Sequence, residues 1–129
     1  MKTLFLILIF GFYSITCFSQ EVVSTELGGD WNNPKTWVSC IMPDANSNVV
    51  IKGHVTVKAP IECKNLKLMK DGKLEFTDVK DSIVAKVSET IDLGEGKIII
   101  SDKWKLFTNQ LINADPKKIE NNGTIGIGM

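Results

Sequence analysis

Gly72-Lys73-Leu74-Glu75-Phe76 is a glycine followed by two apolar residues with one polar position between them, and the chain repeats that pattern three more times. The other copies are Gly53-His54-Val55-Thr56-Val57, Gly96-Lys97-Ile98-Ile99-Ile100 and Gly123-Thr124-Ile125-Gly126-Ile127. Apolar residues at i and i+2 share one face of a strand. The leading glycine reads as a bend that tolerates positive φ. Steps between the glycines are 19, 24 and 27 residues (72−53, 96−72, 123−96). Units of that length cannot enclose a core alone, so they are expected to stack, each burying its apolar pair against the next. The pattern predicts an all-β fold, a short right-handed parallel β-helix (solenoid) of about four rungs.

In such a stack Val55, Leu74, Ile98 and Ile125 form one buried column, and Val57, Phe76, Ile100 and Ile127 a second. Rungs lie about 4.8 Å apart, which makes each column continuous. Each buried member contributes roughly 1.5–3 kcal/mol, so the columns are expected to carry most of the stability. Val49-Val50-Ile51, Leu66-x-Leu68, Ile83-x-Ala85-x-Val87 and Ile91-x-Leu93 alternate in the same way and read as further strands. Ser101 to Asn113 is the one stretch with a helical option: Trp104, Phe107 and Leu111 recur at i, i+3 and i+7. Read as a strand, Trp104-Lys105-Leu106 alternates almost as well, but an irregular or short helical excursion packing on the solenoid is expected there, ended by Asp115-Pro116.

The chain opens with Lys2, an apolar run from Leu4 to Phe12, and Cys17-Phe18-Ser19 before Gln20. That is the pattern of a secretory signal peptide cut before Gln20, too short for a membrane span; a lipoprotein cut before Cys17 has poorer neighbours in Ser14 and Thr16. The expected organisation is a signal peptide over 1–19, a lead-in and N-terminal cap over 20–48, and a β-helical domain over 49–129. The mature product is expected to be secreted or on the cell surface, with no membrane span.

Charge sets limits on partners. Removing Lys2 leaves 14 of the 15 basic residues against 15 acids, and every basic residue is lysine. Without arginine there is no bidentate grip on phosphate, carboxylate or guanine, and nucleic acid is excluded as an expected partner. No cofactor or metal is expected either. Asp44-Ala45-Asn46-Ser47-Asn48 has a faint calcium-loop spacing, but the glycine and glutamate of an EF-hand loop would fall on Val49 and Val55. His54 is the single histidine and stands in no nucleophile motif.

Trp31 and Trp37 lie among turn formers and have two readings. They either cover the open first rung, for which a tryptophan offers about 150–250 Å², or present a ligand-binding platform for sugars. Cys40 and Cys63 remain once Cys17 is removed, and are expected to form one disulfide in an oxidising compartment; two buried free thiols are the alternative. Asn122-Gly123-Thr124 fits the N-glycosylation pattern, and Ser82, after Asp81, is a candidate for O-linked modification. The final copy has nothing after it to cover its rung, which predicts self-association through a C-terminal open rung or a frame that continues.

The run from Trp31 to Ile100 resembles the G8 domain and the leading segments of bacterial surface proteins that continue into right-handed parallel β-helices. The resemblance rests on Trp31 and Trp37, Pro43, Val50-Ile51 with Gly53 and Val57, Leu66, Gly72-x-Leu74-x-Phe76, Ile91 and Gly96-x-Ile98-x-Ile100. It implies an extracellular module and, for some relatives, binding or breakdown of polysaccharides such as hyaluronan. It implies no catalytic constellation for these residues. The expected function is therefore a non-enzymatic module for surface attachment or glycan binding, with an extracellular polysaccharide as partner. The alternative is the N-terminal fragment of a polysaccharide-degrading enzyme. An immunoglobulin-like sandwich is disfavoured because both tryptophans precede Cys40.

Overall fold

A computed structural model describes residues 21–128; the expected signal peptide, with Cys17, lies outside them. The strands are β1 (Glu21–Val23), β2 (Gly29–Asp30), β3 (Asn48–Ile51), β4 (His54–Val57), β5 (Ile61–Leu68), β6 (Lys73–Phe76), β7 (Ile83–Asp92), β8 (Lys97–Ile100), β9 (Trp104–Ile112), β10 (Ile119–Asn121) and β11 (Thr124–Ile127). They alternate between a six-stranded sheet, β1-β3-β5-β7-β9-β11, and a five-stranded sheet, β10-β8-β6-β4-β2. Every neighbouring pair is parallel, so each pass of the chain lies on the one before it. This is the expected β-solenoid, with β3–β4, β5–β6, β7–β8 and β9–β10 as successive coils.

Its interior is a shared apolar wall. Val55, Leu74 and Ile98 stand opposite one another, as do Val57, Phe76 and Ile100, and all six are buried. The second sheet supplies Val22, Val49, Leu66 and Ile91 from the facing side.

The fourth position of each column departs from expectation. Ile119, not Ile125, lies opposite Ile98, and Asn121 lies opposite Ile100. Ile125 pairs with Leu106 in the other sheet, and Ile127 is 58% exposed. The cause is residues 101–113, which form strand β9 rather than a helical excursion. Trp104, Leu106 and Thr108 are its buried residues, at period two, and Leu111 is the next to turn inward. That change of phase produced the false helical spacing. With β9 taking one side of the coil and β10 the other, the chain has turned once more before Gly123 arrives.

The glycines that open each copy also serve a different purpose. Positive φ is confined among described glycines to Gly28, Gly29, Gly94 and Gly128. At Gly72, a Cβ would stand 2.2 Å from the Ile51 carbonyl oxygen of the preceding coil. At Gly96 it would stand 2.5 Å from Leu68 Cβ and 2.7 Å from the Gly72 carbonyl oxygen. Coil-to-coil contact at the corner, not backbone handedness, requires the missing side chain.

The lead-in joins the sheets: β1 pairs with β3 and β2 with β4. Trp31 and Trp37 cap this end, with ring centroids 5.2 Å apart at 80°. Trp37 Nε1 donates to the Trp31 carbonyl at 3.0 Å, and Trp31 N to the Thr56 carbonyl at 2.8 Å. Buried Ser24 ties the cap down by accepting from Lys52 N at 2.8 Å.

Candidate functional site

The longer strands of the six-stranded sheet cannot run straight round a coil. Pairing of β5 with β7 skips between Cys63 and Asn65, and that of β7 with β9 between Val87 and Thr90. Each skip bends the strand and turns the sheet through a corner. The residues just past the bend are polar and in register: Asn48, Asn65, Thr90 and Gln110 stand on β3, β5, β7 and β9.

They are bonded to one another. Asn65 Nδ2 donates to Asn48 Oδ1 at 2.9 Å and to Glu89 Oε1 at 3.2 Å, and Asn65 Oδ1 accepts from Thr90 N at 3.1 Å. Thr90 Oγ1 donates to Gln110 Oε1 at 3.4 Å. These bonds tie the polar side chains past the bend to one another from coil to coil. Two positions further on, Val50, Lys67, Asp92 and Ile112 form the next outward column. Asp92 Oδ1 is fixed by Gly94 N at 2.9 Å and Asn113 Nδ2 at 2.7 Å. Between the two columns runs a shallow groove of about 420 Å³, with Glu21 at one end and Ile112 near the other.

The residues singled out from sequence lie elsewhere. Trp31 and Trp37 are 2% and 1% exposed, so neither offers a ring face to a sugar; they serve the cap. Cys40 and Cys63 are both free, which corrects the expected disulfide. The reason is direction: Cys63 occupies an inward position of β5, stacked with Val87, while Cys40 is exposed on the loop after Trp37 with φ of 61°. Burial, then the nearby Glu62 carboxylate, pushes the Cys63 thiol up to about 12. Ser82 and Asn122 are both exposed.

His54 lies on the outer face of the five-stranded sheet, with Nε2 2.8 Å from Glu75 Oε1 on the next coil. Asp44 is engaged within its own turn by Asn46 N at 2.9 Å and Ser47 Oγ at 3.2 Å. Among the described residues no helix is long and apolar enough to cross a membrane.

The amide and hydroxyl column escaped sequence reading because its members sit at unequal spacings and belong to no motif. The one available signal was a polar residue just before an apolar one, as in Asn48-Val49, Asn65-Leu66, Thr90-Ile91 and Gln110-Leu111. Together, fold and groove define a class: a parallel β-solenoid with a hydrogen-bonded polar ladder along its axis. No protein-family model, no curated protein and no solved structure matches the chain.

Proposed function

We propose that this chain is a secreted or cell-surface, non-enzymatic module of the G8-like kind that contacts polysaccharide through the groove beside Asn65 and Thr90. The observation that carries the reading is the ladder itself: amide and hydroxyl groups held in register at the spacing of the coils, next to the exposed apolar carbons of Ile112. Sugars present hydroxyls at their edges and C–H groups on their faces, so a polar row held in register beside an apolar strip suits them. The buried tryptophans play no direct part in this contact.

The test is retention of a chain begun at Gln20 on immobilised polysaccharides, scored together with release of reducing ends. Retention without cleavage supports the module. Cleavage by this chain alone would favour the alternative, a leading piece of a polysaccharide-degrading enzyme, and absence of retention on every polymer would overturn the contact. Export is checked by locating the full chain in the culture medium or surface fraction.

One observation favours end-to-end association as part of the same role. Among the described strands β10 and β11 each have one unpaired edge, and Ile127 on β11 is 58% exposed. Open parallel edges accept a further strand. Sedimentation velocity over a range of concentrations should show association weakened by Ile127→Lys; a monomer throughout would remove this element.

A further inference from the structure

We infer that the groove takes a neutral, extended polysaccharide laid along the solenoid axis, with successive sugar units meeting successive coils. The inference rests on the glycan-contact reading and names its ligand class. Asn48, Asn65, Thr90 and Gln110 cross four parallel strands, a span of about 14 Å at the usual interstrand spacing. A ligand that follows them must be extended and periodic, and must run across the strands.

Charge decides between neutral and acidic polymers. Around the groove and its ladder stand Glu21, Glu89 and Asp92 against Lys64 and Lys67, three carboxylates to two lysines. Lys64 Nζ already lies 3.8 Å from Glu89 Oε2, which leaves Lys67 alone among the lysines to face a ligand. With no arginine in the chain, a uronate or sulfate has no bidentate partner here. A polyanion would meet a surface of its own sign, whereas hydroxyls lose nothing.

The groups that remain for a ligand are also suited to hydroxyls. Gln110 uses its Oε1 for Thr90, and its Nε2 has no protein acceptor among the described residues. Lys67 has no ion pair among the described residues and is exposed. Both can donate to sugar oxygens, and Gln110 does so from a side chain already bonded into the ladder, so little ordering of that group is needed on binding.

The experiment is affinity electrophoresis and calorimetry of the chain begun at Gln20 with xylan, mannan and mixed-linkage glucan as neutral probes, and hyaluronan and alginate as acidic ones. Gln110→Ala and Lys67→Ala test the groove, and Lys86→Ala on another outward face is the control. At least one neutral polymer is expected to bind, with affinity kept at about 0.5 M salt. Each groove substitution is expected to weaken it about three- to tenfold, the effect of one lost hydrogen bond, while Lys86→Ala leaves it unchanged. Binding of acidic polymers alone would overturn this inference and leave the glycan-contact reading standing. Neutral binding untouched by either groove substitution would also overturn it. Binding of neither kind would overturn both.

Discussion

Ile125 lies opposite Leu106 in the six-stranded sheet, although its sequence motif matches that of Ile98 in the five-stranded one. Identical local patterns thus occupy different sides of the solenoid, and they do so in different degrees of burial. Leu74 is fully buried between Val55 and Ile98, while Ile125 is only partly buried. Leu74→Ala should therefore cost about 2–5 kcal/mol, and Ile125→Ala no more than about half of that. Urea unfolding of the two variants checks this; equal losses would mean that Ile125 shares the buried column.

Gly72 has a negative-side backbone and still cannot carry a side chain. The Ile51 carbonyl oxygen would sit 2.2 Å from a Cβ, and it cannot retreat without lengthening the bond it accepts from Met69 N at 2.9 Å. Gly72→Ala is expected to destabilise by about 1–3 kcal/mol through forced separation of two coils. The exposed neighbour Asp71→Ala should stay within about 0.5 kcal/mol of the parent. Thermal unfolding measured side by side distinguishes this from a turn-propensity effect, under which both substitutions would be mild.

The solenoid was legible because its cause is local and repeated: a glycine where coils touch and an apolar pair facing inward. Val55, Leu74 and Ile98 could be aligned by eye, and their register in the sheet is the same. What could not be read was phase. Bends between Cys63 and Asn65 and between Val87 and Thr90 shift the inward set by one position, which hid β9 behind a helical spacing. The groove depends on those same bends. Neither Asn65 nor Thr90 has any local feature that marks it; only pairing across coils makes them a row. Trp31 and Trp37 carried two readings that differ in burial alone, and burial is a tertiary property.

Cys40 and Cys63 differ in access, and a thiol reagent should separate them. In a folded chain begun at Gln20, Cys40 is exposed and Cys63 lies in the core. One thiol should react quickly with an aromatic disulfide reagent, and the second only after denaturant is added. No reductant should be needed to reveal either. A protein that shows no reactive thiol until it is reduced would establish a Cys40–Cys63 bridge and refute the packing of β5 described above.

Cys63 also makes the domain sensitive to alkali, and the direction follows from its surroundings. Burial favours the neutral thiol, so its folded value of about 12 exceeds the unfolded value of 9.0. Below pH 9 both states hold the proton and the group's contribution is fully present. Between pH 9 and 12 the unfolded chain loses the proton first, which draws the equilibrium toward unfolding. By pH 11 this one thiol should have removed about 2–3 kcal/mol of stability. The parent and Cys63→Ala differ at this one group, so the difference between the two proteins isolates the effect. The parent should be the more stable below pH 9, because the alanine leaves space in the core, and its advantage should shrink steadily as the pH rises. Unfolding curves collected from pH 7 to about 11 decide the matter. A constant gap between parent and variant over that range would mean that Cys63 is hydrated, and that the wall of side chains behind the groove is not closed at this coil.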